Sequence, residues 1–341
     1  MKIKLSNIFL LFFSIFIALA LVEIILRLFF PVYLAGHIGI YQYDDKLAIR
    51  LKDNLHAVNV TDYRQEIKTN HYGTVNFQES FKGYKKLVFA VGDSYTQGTG
   101  IPMDTNYPFQ MNLMLNMDNG KFQKKYGIVN LGLAAYGMEQ EILAVKKYEK
   151  KIGVPDYILF LGCPNDYDDD VLFLSGYRFK HMVEGSPFWG IFVKPAQFLT
   201  NDLEIGKRLK LAIGEYRRLR LFKNDNNTTA DNTDSSVEEV AKQEMARFDR
   251  LADLASKMGA KLIVSWTDVP SKSSGSYLWL KKWAAEKNVE FADWAPMVKS
   301  VEANIPGLPV SNDHSGGHYR VWVNTMVARA FAEAIRRQEK Q

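Results

Sequence analysis

The 341 residues carry 43 Lys and Arg against 38 Asp and Glu, a net charge of +5 at pH 7, and 47% of them are hydrophobic. That balance excludes a disordered or fibrous chain, and without a basic stripe interleaved with stacking aromatics it gives no reason to expect nucleic acid as a partner. The single cysteine, Cys163, excludes an internal disulfide and fits a reducing compartment or a bacterial periplasm; no Cys–His grouping has metal-ligand spacing, so neither metal nor cofactor is expected.

In chain order, the first element is apolar. Ile8 to Val22 contains no charge, Glu23 and Arg27 interrupt the pattern, and Ile24 to Phe30 continue it up to Pro31. At the helical rise per residue this stretch spans roughly 30 Å of hydrocarbon. Glu23 and Arg27 are one turn apart, so they are predicted to pair, near an end where arginine reaches the headgroups. Lys2 and Lys4 precede the run, so the N-terminus is expected in the cytoplasm and the bulk of the chain on the periplasmic or extracellular side. An uncleaved anchor over residues 1–34 is the expectation. The alternative, a cleaved signal peptide, lacks a small-x-small site and has too long an apolar stretch.

Residues 35–84 contain short strand-like pieces and are read as an approach segment. From residue 85 to 341 strand and helix alternate. Leu87–Val91 and Tyr157–Leu161 are apolar strands, Met138–Lys151 has helical spacing, Val237–Met258 is a long amphipathic helix, Leu262–Trp266 and Val289–Phe291 are strands, and Asn324–Arg337 is a final helix. Such alternation implies a mostly parallel sheet covered on both faces. An insertion at about 171–236 interrupts it. Its first part is aromatic and basic, with Lys207, Arg208, Lys210, Arg217, Arg218, Arg220 and Lys223; its last part, Asn224–Ser236, is polar low-complexity sequence. The acidic run Asp166, Asp168, Asp169 and Asp170 reads as a solvated loop, and Cys163 as a small buried apolar residue.

The chemistry gathers around Leu87–Ser94, a strand running into Gly92-Asp93-Ser94. In a parallel sheet, a serine just past a strand's carboxyl end projects into the crevice where ligands bind. Gly-Asp-Ser alone is a common turn composition. Three further blocks accompany it: Val129-Asn130-Leu131-Gly132-Leu133-Ala134-Ala135-Tyr136-Gly137, Leu161-Gly162-Cys163-Pro164-Asn165-Asp166, and Gly317-His318-Tyr319 ahead of the last helix. Together, in this order, they resemble the SGNH (GDSL-type) serine hydrolase family over about Lys86 to Glu339.

That resemblance implies a flavodoxin-like three-layer fold with a parallel central sheet, here preceded by one N-terminal transmembrane helix. It implies Ser94 as nucleophile, His318 as base, and an oxyanion hole from the Ser94 N–H, the Ala135 region and the Asn165 side chain. The sequence departs from the family pattern in three places. Ala135 stands where the family has its oxyanion glycine, which leaves Gly137 as the alternative donor. Two residues rather than one separate Gly162 from Asn165. Ser315 stands three before His318, where the family has its acid, so Asp313, five before, is the candidate acid, and His314 beside it is the rival base.

The expected activity is hydrolysis of an O-acyl ester, borne by cell-envelope polysaccharide or lipid. The alternatives are acyl transfer to an envelope glycan through the same acyl-enzyme, and a catalytically weak glycan-binding protein. No protein partner is implied.

Overall fold

The structure, a computed structural model, describes residues 5–30, 40–60, 62–176, 199, 203–221, 237–267, 275–312 and 317–340. It opens with helix α1 (Leu5–Phe29), whose stretch from Ser6 onward has a mean hydropathy of 2.9 and no buried residue. It is long and apolar enough to cross a membrane. Glu23 and Arg27 pair on it at 3.0 Å.

Two antiparallel hairpins follow, β1–β2 (Tyr41–Asp44 with Ala48–Leu51) and β3–β4 (His56–Val60 with Arg64–Lys68). The central sheet is then built from β5 (Lys86–Gly92), β8 (Tyr126–Asn130), β9 (Tyr157–Gly162), β10 (Lys261–Trp266) and β11 (Glu290–Phe291), after a short β6–β7 hairpin (Met117–Asp118 with Lys121–Phe122). All its neighbours are parallel, in the spatial order β11-β10-β9-β5-β8. Counted along the sheet alone, that is the order 2-1-3-4-5 of doubly wound, flavodoxin-like folds, whose switch point lies between the first and third strands. Here the switch point lies between β5 and β9.

The strands are apolar because helices cover both faces. On one side lie α3 (Tyr107–Asn116), α9 (Ala295–Asn304) and α10 (Val321–Glu339), and Tyr107 stacks on Phe331 with ring centroids 5.5 Å apart. On the other lie α4 (Met138–Ile152), α5 (Asp166–Ser175), α7 (Val237–Met258) and α8 (Gly275–Glu286), and Phe248 packs edge-on against Phe160 at 5.4 Å. Burying side chains of this size contributes about 1.5–3 kcal/mol each. This three-layer architecture is the one the sequence implied. Helix α6 (Glu204–Leu221) falls within the stretch read as an insertion.

One sequence-based expectation is corrected here. Asp166, Asp169 and Asp170 are not in a solvated loop: they lie on α5 and are buried. Their i, i+3, i+4 spacing places them on one helical face, and that face meets the N-terminus of α4 and an arginine of α7.

The end of β5 fixes the geometry of the switch point. Gly92 has φ +155°, and a Cβ there would lie 2.2 Å from Thr96 Oγ1 and 2.7 Å from the Leu161 carbonyl. No side chain fits between β5, its following turn and β9. Gly92→Ala is therefore expected to lower the unfolding free energy by ~3 kcal/mol or more, read as a shift in urea midpoint at unchanged m-value; an unshifted midpoint would show that the turn has room to relax.

Candidate active site

Gly92 ends β5, and Asp93 caps the one-turn helix α2 (Ser94–Gln97) by accepting the Tyr95 N–H at 2.9 Å. This places Ser94 at the switch-point crevice. Its Oγ lies 2.7 Å from His318 Nε2 and 3.2 Å from Asp93 Oδ2. The closer contact is to the imidazole, at the short end of normal hydrogen-bond lengths.

His318 is brought there by backbone pairing. Asn312 N–H donates to the His318 carbonyl at 2.7 Å, and Ser311 bridges Tyr319 in antiparallel fashion. Asn324, in the first turn of α10, donates to the Tyr319 carbonyl at 3.3 Å and accepts the Tyr107 N–H at 3.2 Å, which ties the histidine loop to α3. Tyr95 packs against both His318 and Tyr319, with ring centroids 4.8 Å away in each case. The candidate acid Asp313 and the rival base His314 lie outside the described residues.

The loop after β8 approaches the same turn. Asn130 Nδ2 donates to the Thr96 carbonyl and its Oδ1 accepts the Gly132 N–H, both at 2.9 Å. Gln97 Oε1 accepts the Ala134 N–H at 2.6 Å. Leu133 to Tyr136 then form a turn closed by a 3.1 Å Tyr136 N–H to Leu133 carbonyl bond. Ala135 is third in that turn and has φ +68°, a conformation that costs a side chain about 1–2 kcal/mol. So the position resembling the family's glycine keeps a glycine-like backbone without the glycine. Among the described residues no acceptor meets the Ala135 N–H. The alternative donor, Gly137, is engaged: its N–H points to Gln140 Oε1 at 3.4 Å.

Asn165 is exposed at the start of α5, and its Nδ2 donates to Asp169 Oδ2 at 2.8 Å. Asp169 thereby fixes the amide's rotamer, a role the sequence did not suggest. Gln97, Asn130 and Asn324 were also missed. Asn130 stands within a quoted block, Gln97 three residues past Ser94 and Asn324 in the final helix, and their hydrogen bonds cross from one segment to another.

Beneath Ser94 lies a buried acidic group. Asp93 is fully buried, and burial raises its pKa while the Tyr95 N–H and the nearby His318 act to lower it. Asp166 Oδ2 accepts the Cys163 N–H at 2.8 Å, and its pKa is pushed well up by burial and then by Asp93. Glu141 is 0% exposed and among the described residues neither of its oxygens meets a hydrogen-bond partner; burial first and the charges of Asp166, Asp93, Asp170 and Glu244 second hold its pKa well above the carboxylate range. Asp170 Oδ1 accepts the Glu139 N–H at 2.8 Å, its Oδ2 lies 2.9 Å from Arg247 Nε without hydrogen-bond alignment, and burial pushes its pKa up to about 7. Among the described residues no group of three or more His, Cys, Asp and Glu side chains is arranged to hold a metal ion. The acids face protein, and burial favours the neutral form of each.

No family model matches the chain, and no curated protein matches it. Solved structures do. A lipolytic protein of the G-D-S-L family from Veillonella parvula is 15% identical, with 74% of this chain and 98% of that one covered and a TM-score of 0.42. A catalytic mutant of an acetylxylan esterase from Geobacillus stearothermophilus is 14% identical, with 74% and 95% covered and a TM-score of 0.39. A GDSL-like lipase from Bacteroides thetaiotaomicron is 14% identical, with 74% and 89% covered and a TM-score of 0.40. At these identities and TM-scores the likenesses say nothing of this chain's chemistry.

The raised acids set a pH dependence. For Asp170, folded pKa about 7 exceeds the ordinary 3.8, so the folded state binds the extra proton and stability falls as pH rises between those values. Asp170→Asn keeps the acceptor for Glu139 but cannot ionise. Its thermal midpoint, relative to the parent chain, is expected to climb from about pH 4 to about pH 7 and then level off. A difference that is flat over that window would mean Asp170 is ionised throughout.

Proposed function

We propose that the chain is a serine ester hydrolase that uses Ser94 as nucleophile and His318 as base, held at the membrane by α1 with the site on the side away from the cytoplasm. The observation that carries the chemistry is the 2.7 Å approach of His318 Nε2 to Ser94 Oγ, because a general base must first be within hydrogen-bond reach of the proton it takes.

The steps follow from the atoms present. His318 Nε2 accepts the Ser94 proton as Oγ bonds to the ester carbonyl carbon, and the carbonyl oxygen becomes an oxyanion. N–H groups of Ser94 and Ala135, and the Asn165 amide, are the donors available to it. The tetrahedral species collapses, the C–O bond to the alcohol breaks, and His318 returns its proton to the leaving oxygen. Water then attacks the acyl-serine, gives a proton to His318, and the carboxylic acid departs as Ser94 is reprotonated. Preorganised donors aimed at developing charge are worth most where water is excluded, and Ser94 is only 9% exposed. Asp313 is proposed as the residue that orients His318. The substrate proposed is an O-acyl ester of envelope polysaccharide or lipid.

Purified full-length protein assayed on p-nitrophenyl acetate checks these roles. Ser94→Ala and His318→Ala are each expected to lower kcat by ~10³-fold or more, and Asn165→Ala by ~10²-fold with an unchanged thermal midpoint. Full turnover in Ser94→Ala would remove this serine from the mechanism, and full turnover in Asn165→Ala would remove the amide from the oxyanion hole.

A further inference from the structure

Helix α6 is tied to α1 at two places. The Glu23 carboxylate accepts the N–H groups of Glu204 at 2.9 Å and Ile205 at 3.1 Å, and the Arg208 guanidinium donates to the Phe30 carbonyl. Glu23 is the first charge after the apolar run of α1, and Phe30 is seven residues on, about 10 Å further along the axis at the helical rise. If α1 crosses a bilayer, these two points lie at its outer end, where the apolar stretch meets the headgroups, and the first turn of α6 starts at that boundary.

The outer face of α6 suits that depth. Leu209, Ile213 and Tyr216 are 61%, 43% and 59% exposed. They stand at i, i+4 and i+7, a single apolar stripe. The helix also carries six basic residues against two acidic ones. An exposed apolar stripe on a cationic helix is the composition of an element lying in an anionic membrane surface.

From α6 the contacts run to the nucleophile without a break. Helix α6 packs on β3, β3 pairs with β4, and on β4 the buried Gln65 donates to the Gly98 carbonyl at 2.8 Å and accepts the Gly100 N–H at 3.1 Å. Gly98 closes the turn of helix that Ser94 begins. The hairpin is therefore a strut between the membrane end of α1 and the loop behind the nucleophile.

We infer that α6 lies in the surface of the bilayer that α1 enters, and that through the β3–β4 hairpin it holds the Ser94 crevice at that surface, so that the ester consumed is carried by a lipid or lipid-linked molecule in the same leaflet. The occupant of the apolar stripe is the bilayer itself. The substrate class rests on the esterase reading above; the membrane placement does not.

Two measurements on the full chain in nanodiscs of phosphatidylcholine and phosphatidylglycerol test it separately. In a Cys163→Ala background, Ile213→Cys and Lys150→Cys are labelled with an environment-sensitive fluorophore, and doxyl-labelled lipid is added as quencher. Strong quenching at position 213 and little at position 150 is expected. Equal quenching at both overturns the placement, whatever the enzyme does. Turnover is then compared on a soluble short-chain ester and on a fluorogenic ester anchored in the same nanodisc by a long alkyl chain. Leu209→Asp with Ile213→Asp is expected to lower kcat/KM on the anchored ester at least tenfold and to leave the soluble ester as in the parent. Equal rates on both esters in parent and variant overturn the substrate class. Absence of turnover on both esters in the parent, with quenching at 213 intact, sinks the esterase reading and leaves the placement standing.

Discussion

The contact between Ser94 and His318 joins residues 224 positions apart in the chain, and most of the fold can be understood as what is needed to close it. The serine is delivered by β5, the most enclosed kind of strand, with neighbours on both edges and helices on both faces. The histidine arrives just before the second residue of the short Ser311–Tyr319 bridge, ahead of the last helix, pinned by the Asn312 backbone and by Asn324. Neither delivery is precise without the packing of α3 and α10 on the same side of the sheet, since Asn324 is anchored to the first turn of α3. A shift of either helix would be transmitted to the imidazole.

The acids under the site are the counterweight. Glu141 and Asp166 are buried within electrostatic reach of Asp93, with Asp170 next to them, and desolvation favours the neutral form of each. Burial raises the pKa of each of these carboxyls. Arg247 compensates part of what remains, with contacts to Glu139, Asp170 and Glu244. Removing that arginine would strand several carboxylates at once, which is costlier than any single pair is favourable.

Much of this was legible in the sequence for a physical reason. Strands buried on both faces must be continuously apolar, so Leu87–Val91, Tyr157–Leu161 and Leu262–Trp266 announce themselves, and their alternation with amphipathic helices dictates a parallel sheet. The long apolar N-terminal helix and its Glu23–Arg27 pair were equally plain. What escaped was set by partners distant in the chain. The run Asp166 to Asp170 has the composition of a solvated loop, and the partners of its most buried member, the Glu139 N–H and Arg247 beside Asp170, are distant in the chain. Helix α3 has a mixed face because Asn112 and Asn116 are buried and bonded to each other at 2.8 Å, which hides the periodicity. Ala135 gives no local sign of a left-handed backbone; the turn is tied down by Gln97 from the nucleophile side and by Asn130, which bonds both Gly132 and the Thr96 carbonyl.

The proposed chemistry requires Ser94 to be an activated nucleophile. Full-length protein treated with a fluorophosphonate and digested for peptide mass spectrometry measures that directly. The expected result is one phosphonyl adduct, localised to Ser94 and lost in His318→Ala. An adduct on another serine, or undiminished labelling of Ser94 without His318, would contradict it.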